Sequence, residues 1–166
     1  KVARADVRSI LDPAGRWPMS PLCTPRRAAD TLKRAERATA ALGAEASFLL
    51  VYYGTDGSGG WQTLDRPLRT VTTVDRFALV QPSESGQQMR MLQPSELRRA
   101  MGLSESFTLN HGSRRDRVRL LGNGVCAPVM TNIVKQLTAD KVADTSDIPS
   151  SRRPLLVYEE DPADAQ

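Results

Sequence analysis

The apolar positions of this chain follow two different periods, and the switches between them fall at glycine and proline. From Thr24-Pro25 onward, Ala28, Leu32, Ala35, Thr39 and Leu42 recur at three- and four-residue spacing. That spacing puts them on one stripe of a helix. Thr24 is a suitable N-cap, Pro25 suits the first helical position, and Gly43 is placed to end the helix in a left-handed cap. Arg26, Arg27, Lys33, Arg34 and Arg37 give this helix a basic flank. Ser47 to Tyr53 (SFLLVYY) is a continuous apolar and aromatic run of strand length. Four glycines follow between Gly54 and Gly60, and they predict a flexible turn or hairpin end. They do not form a phosphate loop, because the terminal Lys-Ser/Thr of that motif is missing.

Two short strands are predicted next, joined at Asp75-Arg76. Thr70–Val74 is rich in β-branched residues and Phe77–Val80 is apolar. Gln81–Gln88 is a polar loop. Arg90-Met91-Leu92 then leads as a strand into a helix with Pro94 in its first turn and Gly102 just past its end, with Leu97, Ala100 and Met101 inward. Leu109–Gly112 is a loop. Ser113 caps a helix over Arg114–Leu121 with Val118 and Leu121 apolar, and Gly122-Asn123-Gly124 reads as a tight turn. Pro128–Leu137 is a last amphipathic helix, with Val129, Ile133, Val134 and Leu137 on its apolar face. Lys1–Ser20 reads as a short, loosely structured lead-in in which Trp17 docks on its own domain. Residues 139–166, rich in proline, serine and acid, read as a mostly disordered tail, with Leu155–Tyr158 as an optional edge strand.

These elements predict an α+β fold: a small mixed or antiparallel sheet with flanking helices. The organisation expected is a lead-in (1–20), a first region (21–89), a segment carrying the two later helices and the last one (90–138), and the tail (139–166). The length of 166 residues suits one domain. The chain opens on Lys1 rather than Met, which is read as a cut within a longer polypeptide.

Composition changes this picture little. Lys and Arg total 23 against 19 acids, a net charge of +4, and most of the positive charge is arginine. The planar guanidinium fork suits phosphate and guanine recognition better than an ammonium does. Cys23 and Cys126 are far apart and lack metal-ligand spacing, which fits a reducing cytoplasm rather than a disulfide scaffold. No run approaches the roughly 18 apolar residues of a membrane span.

The residues of a self-contained enzyme are not visible. His111 is the sole histidine, in a polar loop with no acidic partner at a telling spacing. Cys23 precedes a helix start, a position that can lower a thiol pKa, but no second group can be placed beside it. Cys126 reads as packing. Arg114, Arg115, Arg117 and Arg119 are different in kind: four arginines within six residues cannot all share one helical face. Such a cluster is either a solvated face or a grip on backbone phosphates.

Two blocks carry a family resemblance. The run Arg90-Met91-Leu92-Gln93-Pro94-Ser95-Glu96-Leu97-Arg98-Arg99-Ala100-Met101-Gly102 resembles the R-x-L-T-x-R-E-x-A-R-x-x-G block of cytosine-5 DNA methyltransferases. Gly122-Asn123-Gly124-Val125 resembles that family's last block, G-N-[SA]-V. Upstream, Tyr52-Tyr53-Gly54 and the phrase from Arg66-Pro67 to Thr72-Thr73 look like the target-recognition region of phage- and prophage-type members. The Pro-Cys dipeptide, the Glu-Asn-Val block, the Gln-x-Arg-x-Arg block and the glycine-rich cofactor loop of the family are not in this sequence. Gly124 stands where Ser or Ala is usual, and Leu103-Ser104 where Phe-Pro is usual.

The resemblance implies the C-terminal, DNA-recognising portion of a cytosine-5 DNA methyltransferase, partial relative to the whole fold and without a complete Rossmann-like cofactor domain. It implies S-adenosyl-L-methionine as methyl donor, no metal, double-stranded DNA as partner, and a catalytic Cys on a separate catalytic domain or subunit. The setting implied is the cytoplasm, bacterial or phage-encoded. By motif match, Asn123 and Gly124 would lie at the cofactor edge. Arg69, Thr72, Thr73, Arg76, Arg90, Arg114, Arg115 and Arg117 are the candidates for DNA contact, with Arg90 also tying the recognition region to the hinge. In isolation the last helix would expose its apolar face or pair with another copy. The alternatives are an inactive DNA-binding module derived from such an enzyme, or an unrelated small α+β interaction protein.

Overall fold

The computed structural model of the protein describes residues 5–53 and 59–139. The glycine-rich turn expected at 54–58 and the tail beyond 139 lie outside the described residues. Ten elements follow in order: α1 (Val7–Ile10), β1 (Ser20–Pro21), α2 (Ala29–Leu42), β2 (Phe48–Val51), β3 (Trp61–Thr63), β4 (Phe77–Gln81), β5 (Gln88–Met91), α3 (Pro94–Ala100), α4 (Arg114–Asn123) and α5 (Ala127–Thr138). The strands form one antiparallel sheet in the order β1-β5-β4-β2-β3. The α+β expectation holds.

The sheet is covered on both faces, which explains its uninterrupted apolar strands. Successive residues of a strand point to opposite faces. Leu49 and Val51 of β2 join Phe77 and Leu79 of β4 in one core, with Val7 of α1, Leu97 of α3 and Val118 and Leu121 of α4. Phe48 and Leu50 join Ala78 and Val80 in the other, with Ala35 and Ala38 of α2. In β2 and β4 both faces are buried and apolar, so the usual alternation disappears there.

Several local expectations change. The lead-in is part of the fold from residue 5: Val7 and Ile10 are buried, and β1 pairs with β5 through Ser20↔Met89 and Pro21↔Gln88. Trp17 docks on its own domain, where its indole Nε1 donates to Asp12 Oδ2 at 2.7 Å. Helix α2 starts at Ala29 rather than at Thr24-Pro25, which form a turn in which Arg27 N–H donates to Thr24 O. Thr70–Val74 is not a strand. Strand β3, hidden in the sequence behind the glycine run, takes the sheet edge next to β2 instead. Helix α3 has Pro94 in its first turn and Gly102 at φ +68° beyond its end. Ser113 caps α4 through Asp116 N–H, as its position predicts. Helix α4 runs on through Gly122 and Asn123, so the tight turn expected there is helix, and Gly124 takes an ordinary negative φ of −76°.

Contacts divide the chain into two units at Met130/Thr131. Helix α5 spans this division and has no buried residue. Val129 is 51% exposed, Ile133 44% and Leu137 70%. No described helix is long and apolar enough to cross a membrane.

Candidate nucleic-acid interface

The predicted site residues fall into four groups, and one forms a common surface. That surface is the segment 70–76 together with α4. The segment has no ladder partner, so other contacts hold it. Tyr53 Oη donates to Thr70 O, and Tyr53 stacks edge-on against Phe77 at 5.9 Å. Burial pushes the Tyr53 phenol above its ordinary pKa, against the opposing pull of Arg69 and Arg76, so it remains a donor at neutral pH. Arg76 donates from Nη1 to Tyr52 O at 2.7 Å, and its Nε is buried without a partner among the described residues. Thr72 Oγ1 donates to Val74 O at 3.0 Å, closing a local turn. Thr73 and Val74 are left exposed at the tip, Val74 by 44%.

Helix α4 fixes this segment from the other side. Arg114 makes a bidentate pair with Asp75, Nη1 to Oδ2 at 2.6 Å and Nη2 to Oδ1 at 3.0 Å. The same guanidinium donates to Leu92 O at 2.5 Å and to Gln93 Oε1 at 3.2 Å. Eight residues on, Gly122 meets the backbone of Thr72 and Thr73: a Cβ there would stand 2.2 Å from Thr72 C and 2.4 Å from Thr73 N. Asp75 and Gly122 were not among the residues expected at the site. No local signal marks Asp75, whose partner lies 39 positions away.

The other arginines divide. Arg115 and Arg119 are exposed, and Arg117 is half-buried with its Nε unpartnered among the described residues. Asp116 sits among them with its carboxyl below the usual range. The first cause is the Ser113 hydroxyl that donates to it at 2.7 Å, with Arg119 and Arg115 adding attraction. Arg69 stands apart, donating weakly to Trp61 O at 3.5 Å and lining an open cleft at the β3 edge with Trp61 and Arg66.

Arg90 leaves the DNA-facing set. Its side chain is 8% exposed and makes a bidentate pair with Glu96 at 2.6 and 2.8 Å. Glu96 is wholly buried and also accepts from the Asp12 and Gln93 backbone N–H groups at 2.9 and 2.7 Å. All four contacts fill the lone pairs of one carboxylate, the condition under which a buried pair is tolerated. Arg90 is thus a strut between β5 and α3, and it cannot reach a phosphate.

Beside that strut lies a second buried acid. Burial alone would raise Asp12. Hydrogen bonds from Ser95 Oγ (2.6 Å), Trp17 Nε1 (2.7 Å) and Arg99 Nη2 (2.6 Å) outweigh it and hold the carboxyl at about 2. This cluster joins α1 to α3 and has no exposed reactive group.

Asn123 and Gly124 lie exposed where α4 ends. From there the chain turns back to α3: Ala127 N–H donates to Met101 O at 3.1 Å, and Pro128 packs so closely on Gly102 that a Cβ there would come within 2.4 Å. Cys23 is exposed and Cys126 half-buried. Among the described residues no group of His, Cys, Asp or Glu could hold a metal.

The sequence matches the family model of C-5 cytosine-specific DNA methylase over residues 30–139, which takes in β2 to β5, the 70–76 segment, α3, α4 and α5. The chain belongs to the C-5 cytosine-specific DNA methylase family. Comparison with curated proteins and with solved structures gives no match. The exposed Thr73–Val74 tip and the basic first half of α4 carry groups that can bond bases and phosphates. Thr can meet a thymine methyl or bond a base edge, and Arg can grip a phosphate or guanine.

Proposed function

We propose that this chain is the DNA-recognising, C-terminal portion of a cytosine-5 DNA methyltransferase, as found in phage- and prophage-type enzymes. The 70–76 segment faces the bases, and exposed Arg115 and half-buried Arg117 of α4 face the backbone. The observation that carries the reading is that one family match spans both the segment and α4, and that the two are pinned to each other through Asp75–Arg114 and Gly122. Arg115 and Arg117 remain as phosphate contacts, and Thr72, Thr73 and Arg76 as the base-proximal group, with Arg69 at a separate edge.

S-adenosyl-L-methionine would supply the methyl group when bound. Asn123 and Gly124 fit one edge of its site through an amide and a backbone group, and the remaining walls come from other residues than these. The thiolate that adds to the flipped cytosine is assigned to a separate catalytic domain or subunit, since no Pro-Cys dipeptide occurs in this sequence. In this division the present chain binds and orients DNA.

The test is duplex binding across a salt series, with Arg115→Gln and Arg117→Gln made together. Each lost phosphate contact should reduce the log–log salt slope by about 1. Binding indifferent to salt and to both changes would overturn the reading. Methyl transfer by the chain alone, without a catalytic partner, would overturn the placing of the nucleophile.

A further inference from the structure

We infer that Arg114 and Asp75 are positioning residues that set the height and orientation of the Thr73–Val74 tip, and that Arg114 does not itself contact phosphate. The inference rests on the DNA reading above and reverses the role that the arginine cluster suggests for Arg114.

Four acceptor atoms surround the Arg114 guanidinium: both Asp75 oxygens, Leu92 O and Gln93 Oε1. Nη1, Nη2 and Nε are all engaged, and its charge is neutralised by the facing carboxylate. Leu92 and Gln93 belong to the short link between β5 and α3, which is anchored by the buried Arg90–Glu96 pair. Asp75 is therefore tied through Arg114 to a link that a buried ion pair holds in place. At the other end of the segment Tyr53 holds Thr70, and Gly122 admits the Thr72–Thr73 backbone against α4. Between these fixed points only Thr73 and Val74 project freely into solvent. A planar bidentate fork constrains orientation as well as distance, which a lysine could not do.

The two roles predict opposite signs. If Arg114 contacts phosphate, Asp75→Asn removes a competing negative charge and duplex binding stays level or tightens. If the pair positions the tip, Asp75→Asn and Arg114→Gln weaken sequence discrimination alike. The experiment first selects a preferred duplex from a randomised pool with the unaltered chain. It then compares that duplex with one of mixed sequence for Asp75→Asn, Arg114→Gln, the double variant and Asp75→Glu. Expected is a roughly 3- to 30-fold loss of preference in both single variants. No further loss is expected in the double variant, the salt slope should not change, and Asp75→Glu should recover part of the preference. A slope lowered by about 1 in Arg114→Gln alone, with Asp75→Asn binding as tightly as the parent, would overturn the inference. Limited tryptic cleavage at Arg69 and Arg76, which flank the segment, reads the clamp separately without DNA: it should accelerate equally in both single variants, and unchanged cleavage would overturn the clamp. A chain that selects no duplex but shows the accelerated cleavage overturns the DNA reading, and the positioning role with it, while leaving the clamp standing.

Discussion

Of the two glycines that frame Asn123, only Gly122 should be damaged by an added methyl group. At Gly122 an added Cβ would lie 2.2 Å from Thr72 C, 2.3 Å from Thr72 O and 2.4 Å from Thr73 N. Ordinary contact begins near 3.4 Å, so the Thr72–Thr73 backbone must recede by about 1.2 Å. These are backbone atoms of a segment pinned at Thr70, Asp75 and Arg76, and no rotamer change relieves the overlap. Overpacking of this kind costs about 1–3 kcal/mol. Against it stands the gain of replacing glycine by alanine in a helix, at most about 1 kcal/mol and less in the last turn. Steric overlap wins, and Gly122→Ala should lose about 1–2 kcal/mol, or about 2–8 °C in Tm for a chain of this size.

Gly124 offers the control. Its φ of −76° is available to any residue, and the nearest atoms to an added Cβ are Leu121 O at 3.1 Å and Met101 Cε at 3.8 Å. Gly124→Ala should stay within about 0.5 kcal/mol of the parent. Urea and thermal unfolding of the two variants, with duplex affinity measured beside them, check the pair. Equal stability and equal affinity for Gly122→Ala and the parent would refute the close approach of α4 to the 70–76 segment.

Two further outcomes concern the buried acids. Glu96→Gln keeps the volume but leaves the Arg90 guanidinium buried and uncompensated, so stability should fall by about 3–5 kcal/mol; a urea midpoint close to the parent's would show that the pair is not a strut. Asp12 has a folded pKa of about 2 against an ordinary 3.8, so its ionised form stabilises the fold at every pH above the ordinary value. That contribution, about 2 kcal/mol, is lost as pH falls from about 4 toward 2. Tm against pH should therefore drop more steeply in the parent than in Asp12→Asn, and parallel curves would count against the Asp12 cluster.

What was legible in the sequence was whatever a few adjacent residues decide. Pro94 and Gly102 bracket α3, Ser113 caps α4, and the SFLLV and FALV runs are the two central strands, because each signal needs no distant partner. The lead-in was misread for the opposite reason. Asp12-Pro13-Ala14-Gly15 is turn chemistry locally, yet Asp12 is buried because Ser95 and Arg99, 83 and 87 positions away, supply its donors. Thr70–Val74 shows the same limit: β-branched residues fit a strand only where a ladder receives them, and here the edge position goes to Trp61–Thr63. The resemblance named Gly122-Asn123-Gly124 but could not say why its first glycine is needed, since the reason is a carbonyl 50 positions upstream.

The four arginines of α4 show how charge in a sequence divides once folded. Counted along the chain they are one basic patch. In the structure Arg114 is neutralised by Asp75, Arg117 is half-buried, and Arg115 and Arg119 carry the exposed charge. The patch is thus weaker as an electrostatic surface than its count suggests, and stronger as a scaffold. That trade suits a reading segment. A loop free in solution must be ordered on binding, at about 0.5–1.5 kcal/mol for each immobilised side chain. A segment already held at Thr70, Thr72, Asp75 and Arg76 leaves only Thr73 and Val74 to settle. On the DNA reading, the arginine lost to phosphate contact is recovered as preorganisation of the segment that meets the bases.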